Sequence, residues 1–91
     1  MLDLMQYRDI YRQTIARWGE DAQHDQAIEE CAELITVLKH YRRDRVDADA
    51  VVDELADVFL MLGQLIFMFG EQATQDAIVE KIAKLNRLLA T

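Results

Sequence analysis

The chain has 91 residues and a formal net charge of −7 at pH 7, and 52% of its residues are hydrophobic. One domain with a modest core fits this length, and the acidic balance argues against a nucleic-acid-binding surface, which needs a basic face. A nucleotide ligand is still allowed, because bound divalent cations can reverse the local sign of the charge. Since proline is absent and only three residues are glycine, the composition predicts long helices in a single domain over residues 1–91.

The apolar residues of the first half of the chain predict two helices. The first helix ends at Gly19. Its apolar stripe recurs at steps of three or four residues and consists of Leu4, Tyr7, Tyr11, Ile15 and Trp18. The second runs from about Asp25, a candidate N-cap, to about Arg43. Its predicted inner face consists of Ala27, Cys31, Leu34, Leu38 and Tyr41.

Two further helices are predicted after the break at "RDRVDAD". Asp47 or Asp49 caps the third helix, which reaches about Phe69, and Gly70 suits a C-terminal cap in a left-handed conformation. Thr74 is the predicted cap of the fourth helix. The apolar stripe of this last helix consists of Ile78, Ile82, Leu85 and Leu89.

Four helices with short connections predict an all-α fold, arranged as a four-helix, mostly antiparallel bundle. The most apolar part of the third helix is "VFLMLGQLIFMF", residues 58–69, which is too short to span a bilayer. We expect this helix to be buried on nearly all sides. Because apolar side chains cover its whole circumference, oligomerisation into a homodimer or tetramer is expected to complete the bundle.

The location of the protein is predicted from its cysteine content and its first residues. Cys31 is the only cysteine, so no disulfide can form within the chain. The stretch "MLDLMQYRD" contains neither a basic leader nor an apolar signal core. Both features predict a cytoplasmic location. The short apolar run and the acidic net charge predict that neither a membrane nor a nucleic acid is among the partners.

Two pairs of acidic residues stand at the same spacing on the second and third helices. Glu30 and Glu33 project together from the second helix, and Glu54 and Asp57 project together from the third. If the two helices are neighbours, four carboxylates meet, repel one another and raise their own pKa values. No basic residue lies among them, whereas a hard divalent cation such as Mg²⁺ takes oxygen ligands. The pattern therefore predicts a metal site.

A simpler interpretation exists for each acidic pair alone. Acidic residues are common in the first turns of helices, where they complement the helix dipole, and either pair by itself is more often a solvated or capping feature. The occurrence of both pairs in order, the second leading into an apolar run, favours the metal site.

These residues resemble the signature of the MazG-like all-α nucleoside triphosphate pyrophosphohydrolases, a superfamily that also contains dimeric dUTPases and dCTP pyrophosphatases. The signature E-E-x-x-E followed by E-x-x-D stands here as "EECAE", residues 29–33, and "ELAD", residues 54–57. The resemblance implies Mg²⁺-dependent cleavage between the α- and β-phosphates, with Mn²⁺ as a substitute, in nucleotide-pool house-cleaning. It implies that Glu30, Glu33, Glu54 and Asp57 are metal ligands. Glu29 would then orient or deprotonate the attacking water, or hold a further metal.

The resemblance also implies residues that contact the substrate. Lys81 and Asn86 on the last helix would contact phosphates, with Lys84 or Arg87 as substitutes for Asn86. Trp18 and His24 would close over the base. Each has a simpler interpretation: Lys81 as an ordinary surface lysine, Trp18 as a core residue and His24 as a solvent-exposed side chain.

Two other classes of function compete with the hydrolase. A carboxylate-bridged di-iron bundle needs Glu-x-x-His on two helices, and neither His24 nor His40 lies three residues after a glutamate. A non-catalytic helical dimerisation module with a vestigial metal site is the stronger alternative. Melting with and without Mg²⁺ discriminates it from an enzyme with a working site.

Overall fold

A computed structural model describes residues 2–91, and every regular element in that part of the chain is helical. A 3₁₀ turn at Leu4–Tyr7 leads into α1, Arg8–Trp18, and α2, Glu20–Arg42. A short connection then leads to α3, Ala48–Phe69, and to α4, Glu71–Leu89. The predicted all-α class and the predicted number of helices are confirmed.

Helix α2 begins earlier than the sequence suggested. Asp25 lies inside α2, so its predicted role as N-cap is wrong. The reason is Gly19, whose φ of 91° turns the chain within one residue while its N–H donates to the carbonyl of Ile15. No loop is needed, and α2 starts immediately with the acidic residues Glu20 and Asp21 in its first turn, where they complement the helix dipole.

The start of α4 differs from the prediction for the same reason. Gly70 has a φ of 124° and separates α3 from α4 by a single residue. Thr74 is therefore not a cap: it lies inside α4, and its hydroxyl donates to the carbonyl of Gly70 at 2.7 Å. Of the two predicted caps of α3, Asp47 is the observed one: its Oδ1 accepts a hydrogen bond from the N–H of Ala50 at 3.1 Å, whereas Asp49 lies in the first turn.

Helices α2 and α3 form an antiparallel pair, which is the largest packing interface in the described chain. Three facing pairs of side chains follow one register along it: Gln23 with Gln64, Glu30 with Asp57, and Glu33 with Glu54. As the residue number rises on one helix it falls by the same amount on the other. This register brings the two acidic motifs opposite each other.

Helix α1 crosses the α2–α3 pair and packs through Tyr11, which is 2% exposed. The Tyr11 ring lies against the backbone of Gly63, where a Cβ atom would overlap the phenol, and its hydroxyl donates to the carbonyl of Leu4. Thr14 hydrogen-bonds to Gln64, whose amide nitrogen donates to Gln23 at 2.8 Å. A buried polar network thus joins α1, α3 and α2.

Much of the apolar surface is left uncovered in the single chain. Leu60, Leu62 and Phe69 are exposed, so one chain by itself does not bury α3 on nearly all sides, and the predicted burial by a second copy stays a prediction. Helix α4 packs against α3 but not against α1 or α2, and every residue from 75 to 91 is exposed. An ion pair between Arg8 and Glu71 joins the start of α4 to α1. A closed bundle of four helices is therefore not confirmed.

Within residues 2–91, none of the helices combines the length and the apolar character needed to cross a membrane.

Candidate metal centre

Three glutamates from two helices meet at one point of the α2–α3 interface. One carboxylate oxygen from each of Glu30, Glu33 and Glu54 lies within 4.8 Å of those of the other two. Asp57, one turn after Glu54 on α3, adjoins Glu30. The structure therefore brings together Glu30, Glu33 and Glu54, whereas Asp57 lies beside Glu30 and is not among the residues whose oxygens meet.

The cluster contains carboxylate oxygens that have no partner. Oε2 of Glu30 and Oε2 of Glu54 are both fully enclosed and without a hydrogen-bond donor in the described chain. Oε1 of Glu30 accepts a hydrogen bond from Nε2 of Gln26 at 2.8 Å. Buried polar atoms are normally paired, so these two oxygens are the positions in the cluster at which a hydrogen-bond or metal partner is missing.

The local environment disfavours the ionised forms of the residues on α3. Partial removal from water raises the pKa of Glu54 to about 7, and a hydrogen bond with Glu33 and the surrounding carboxylates act in the same direction. The pKa of Asp57 is also raised, first by loss of water and then by the charge of Glu30. Within residues 2–91 no ion pair links the four carboxylates to a lysine, arginine or histidine. The cluster therefore carries uncompensated negative charge.

The donor set fits a hard divalent cation. All of its atoms are carboxylate oxygens, which Mg²⁺ and Mn²⁺ prefer over the nitrogen or sulfur ligands of zinc sites. A cation bound there would partner the orphaned oxygens of Glu30 and Glu54 and neutralise the mutual repulsion. Glu30, Glu33, Glu54 and Asp57 are the residues that could hold it.

Among the described residues, Glu29 is not one of the glutamates whose carboxylate oxygens meet. Its side chain is exposed on α2, beside Glu30 in sequence. Successive residues of a helix point about 100° apart, so Glu29 projects to the side of the cluster. It is free to contact a water or a ligand held at the edge of the site.

Trp18 and His24 lie near the beginning of α2, on the side of the cluster away from the α2–α3 connection. Trp18 is 58% exposed, with the guanidinium of Arg17 over its ring at 5.5 Å from the ring centre, so it is not a core residue. The His24 ring packs near the ring of Phe69 with centroids 6.4 Å apart. His24 is six residues from Glu30, about 9 Å along the helix axis.

Lys81 and Asn86 are not brought to the carboxylates within one chain. Both are exposed on α4, and α4 makes no packing contact with α2. Lys81 lines a shallow groove on the outer face of α4 together with Lys84 and Arg87. The basic residues predicted to meet a substrate and the acidic residues predicted to hold a metal therefore lie in separate parts of the described chain.

Gln26 is a residue of the site that the sequence reasoning missed. Its amide holds the Glu30 carboxylate by a hydrogen bond within α2. The signal was available in the sequence, because Gln26 precedes Glu30 by four residues and such pairs are neighbours on a helix surface. This contact orients one oxygen of Glu30 and leaves the other for a different partner.

The chain matches no family model, no curated protein sequence and no solved structure.

Proposed function

We propose that the chain is a Mg²⁺-dependent nucleoside triphosphate pyrophosphohydrolase of the MazG-like type, which releases a nucleoside monophosphate and pyrophosphate. One observation supports this above all others: carboxylates from two helices converge at a point where two enclosed oxygens have no protein partner. The substrate of such an enzyme carries several negative charges. An acidic protein can bind it only if cations stand between the phosphates and the carboxylates.

The residues have distinct roles in this proposal. Glu30, Glu33, Glu54 and Asp57 hold Mg²⁺, and Gln26 keeps Glu30 in position. The bound ion supplies neutralisation of the phosphate oxygens and a lower pKa for a coordinated water. Glu29, exposed beside the cluster, accepts the proton of the attacking water or orients that water. Trp18 and His24 would close over the base.

The proposal includes self-association and a cytoplasmic location. A homodimer or tetramer would cover the exposed apolar side chains of α3 and α4, such as Leu62, Phe69 and Leu85. It would also allow the basic residues of α4 to reach an acidic cluster, which they do not reach within their own chain. Clearing of unwanted nucleotides is the corresponding biological role.

A panel of canonical and modified nucleoside triphosphates tests the activity. Pyrophosphate and monophosphate should appear in equal amounts with Mg²⁺ and should disappear with EDTA. Glu54→Gln should remove the activity, whereas Glu80→Gln on the outer face of α4 loses the same charge far from the cluster and should keep it. The proposal fails if folded protein with Mg²⁺ releases pyrophosphate from no member of the panel.

The second candidate is a non-catalytic helical dimerisation module with a vestigial metal site. The observation that favours it is the large exposed apolar surface of α3 and α4, which serves self-association whether or not a reaction takes place. Thermal melting separates the two. A cation that binds the folded state should raise the melting midpoint of wild type. A melting midpoint that changes with neither Mg²⁺ nor Mn²⁺ would favour the dimerisation module.

A further inference from the structure

We propose that the buried amide pair of Gln23 and Gln64 positions the carboxylates of the candidate metal centre, because it fixes the alignment of α2 against α3 before any ion binds. This alignment along the helix axes is called the register below. The role rests on the metal site of the proposed function and adds two positioning residues that lie outside that site.

The amide pair and the acidic cluster lie on the same seam between α2 and α3. Glu30 follows Gln23 by seven residues on α2, and Asp57 precedes Gln64 by seven residues on α3. Seven residues are two turns of a helix, so the amides and the carboxylates face the same neighbour and are about 10 Å apart along the axis. The alignment of the amides therefore determines the alignment of the carboxylates.

The amide pair is enclosed, and its hydrogen bonds are directional. Gln64 is 2% exposed and Gln23 is 8% exposed. The amide nitrogen of Gln64 donates to Oε1 of Gln23 at 2.8 Å, and Oε1 of Gln64 is hydrogen-bonded to the hydroxyl of Thr14 on α1. A buried amide that loses its partner has no water to replace it, so a shift of one helix against the other is unfavourable.

The acidic residues do not define a register by themselves. Each helix carries two of them three residues apart, so a shift of one turn still places an acid opposite an acid. Glu30 then faces Glu54, or Glu33 faces Asp57 for a shift in the other direction. Only one acidic pair meets in each shifted register, against two in the observed one. Without an ion, repulsion between carboxylates therefore favours the shifted registers.

The amide pair removes this ambiguity. Apolar contacts are not directional, whereas a buried polar pair selects the one alignment that satisfies both partners. A shift of one turn would place Gln23 opposite Met61 or Phe67, and neither of these side chains can donate a hydrogen bond to its carbonyl oxygen. The register that the amides select is the one in which both acidic pairs meet.

Cation affinity gives the first test. The double variant Gln23→Leu with Gln64→Leu replaces both amides by apolar side chains of similar size, a change that is often nearly neutral for stability. It should keep its helical content by circular dichroism. Its affinity for Mn²⁺, followed by loss of the free-ion signal in electron paramagnetic resonance, should fall at least about tenfold, as when a metal site loses an outer-shell partner.

Tyr11→Phe is the matched control for a general loss of stability. It removes a hydrogen bond between α1 and the carbonyl of Leu4 and leaves both glutamines in place. Its Mn²⁺ affinity should equal that of wild type. A loss of affinity as large as that of the double variant would show that any weakening of the fold impairs the site, which overturns a special role for the amides.

The register itself is measured without a metal. Nitroxide labels on Asp25→Cys of α2 and Asp49→Cys of α3, in a Cys31→Ser background diluted with unlabelled protein, report the distance between two exposed positions. With both glutamines present and EDTA added, dipolar spectroscopy should give one narrow distance distribution. The double leucine variant should give a broader distribution or a second distance, because one turn displaces a helix by about 5 Å.

The possible results separate this role from the proposed function. A folded double variant that binds Mn²⁺ like wild type, or that keeps the single narrow distance, would overturn the role of the amides. A double variant without helical content would overturn it too, because the amides would then be required for the fold as a whole. If wild type binds Mn²⁺ but hydrolyses no nucleotide, the proposed function fails and the positioning role stands. If wild type binds no divalent cation, both fail.

Discussion

Glu33 on α2 and Glu54 on α3 face each other across the helix pair, with a carboxylate oxygen of each within 4.8 Å. Loss of water comes first among the causes that raise the pKa of Glu54 to about 7, and Glu33 and the other surrounding carboxylates act in the same direction. Glu54 therefore changes between a protonated and an ionised form near neutral pH. The balance between them depends on pH and on cations, and it makes the site measurable without a substrate.

Without a divalent cation, the stability of the protein should fall as pH rises from about 5 to 8. The pKa of Glu54 is raised from an ordinary 4.5 to about 7, so between these values the folded state binds more protons than the unfolded state. The stabilisation from this group is complete below its unfolded pKa and is lost as pH passes through its folded pKa. Thermal melts in EDTA across this range measure the effect. Glu54→Gln should flatten the slope, and an equally steep slope in the variant would contradict the assignment.

Glu54→Gln and Asp57→Asn should separate stability from activity. Each removes a crowded negative charge, so each should raise the melting midpoint in EDTA at pH 8 by a few degrees. Each should also abolish the rise that Mg²⁺ produces in wild type and reduce pyrophosphate release at least about 100-fold. Asp49→Asn, in the first turn of α3 and outside the cluster, is the control. Wild-type turnover in either cluster variant would rule out the assigned ligands.

Gly63→Ala should destabilise the fold although alanine favours a helix more than glycine does. A Cβ atom at this position would overlap the phenol of Tyr11, which is held in place by its hydrogen bond to Leu4. Overpacking of this kind costs about 1–3 kcal/mol, which exceeds the gain in helix propensity of about 1 kcal/mol. Denaturant titration measures the balance. A variant more stable than wild type would show that α1 does not pack on α3 as described.

The buried pair Gln23 and Gln64 should show strong coupling. Gln23→Leu leaves the amide nitrogen of Gln64 without its acceptor, and an unsatisfied buried donor costs about 1–3 kcal/mol. Gln64→Leu should be similarly costly, because it leaves Oε1 of Gln23 without its donor and removes one of the two hydrogen bonds of Thr14. Replacement of both glutamines should cost less than the sum of the two single changes. Additive effects in this double-mutant cycle would show that the two amides do not interact.

The acidic cluster was predictable from the sequence, whereas its details were not. Residues three apart on a helix share one face, so the sequence alone predicts that Glu30 and Glu33 project together, and likewise Glu54 and Asp57. Local spacing does not predict that the two pairs meet, because a tight connection near residues 44–48 would place Glu30 and Glu33 further from the turn than Glu54 and Asp57. The observed register, with Glu33 opposite Glu54, depends on packing between distant segments, including the bond between Gln23 and Gln64.

The sequence by itself determined the helical class, the four helices, an aspartate cap of α3 at Asp47 or Asp49 and the sharing of one helix face by each acidic pair. These features follow from helical periodicity and from hydrogen bonds between residues a few positions apart. Only the tertiary structure decided that Gly19 and Gly70 join helices without loops, that Tyr11 rests on Gly63, and that α4 stands away from α1 and α2. Such relationships arise from packing between segments far apart in the chain, and no local pattern encodes them.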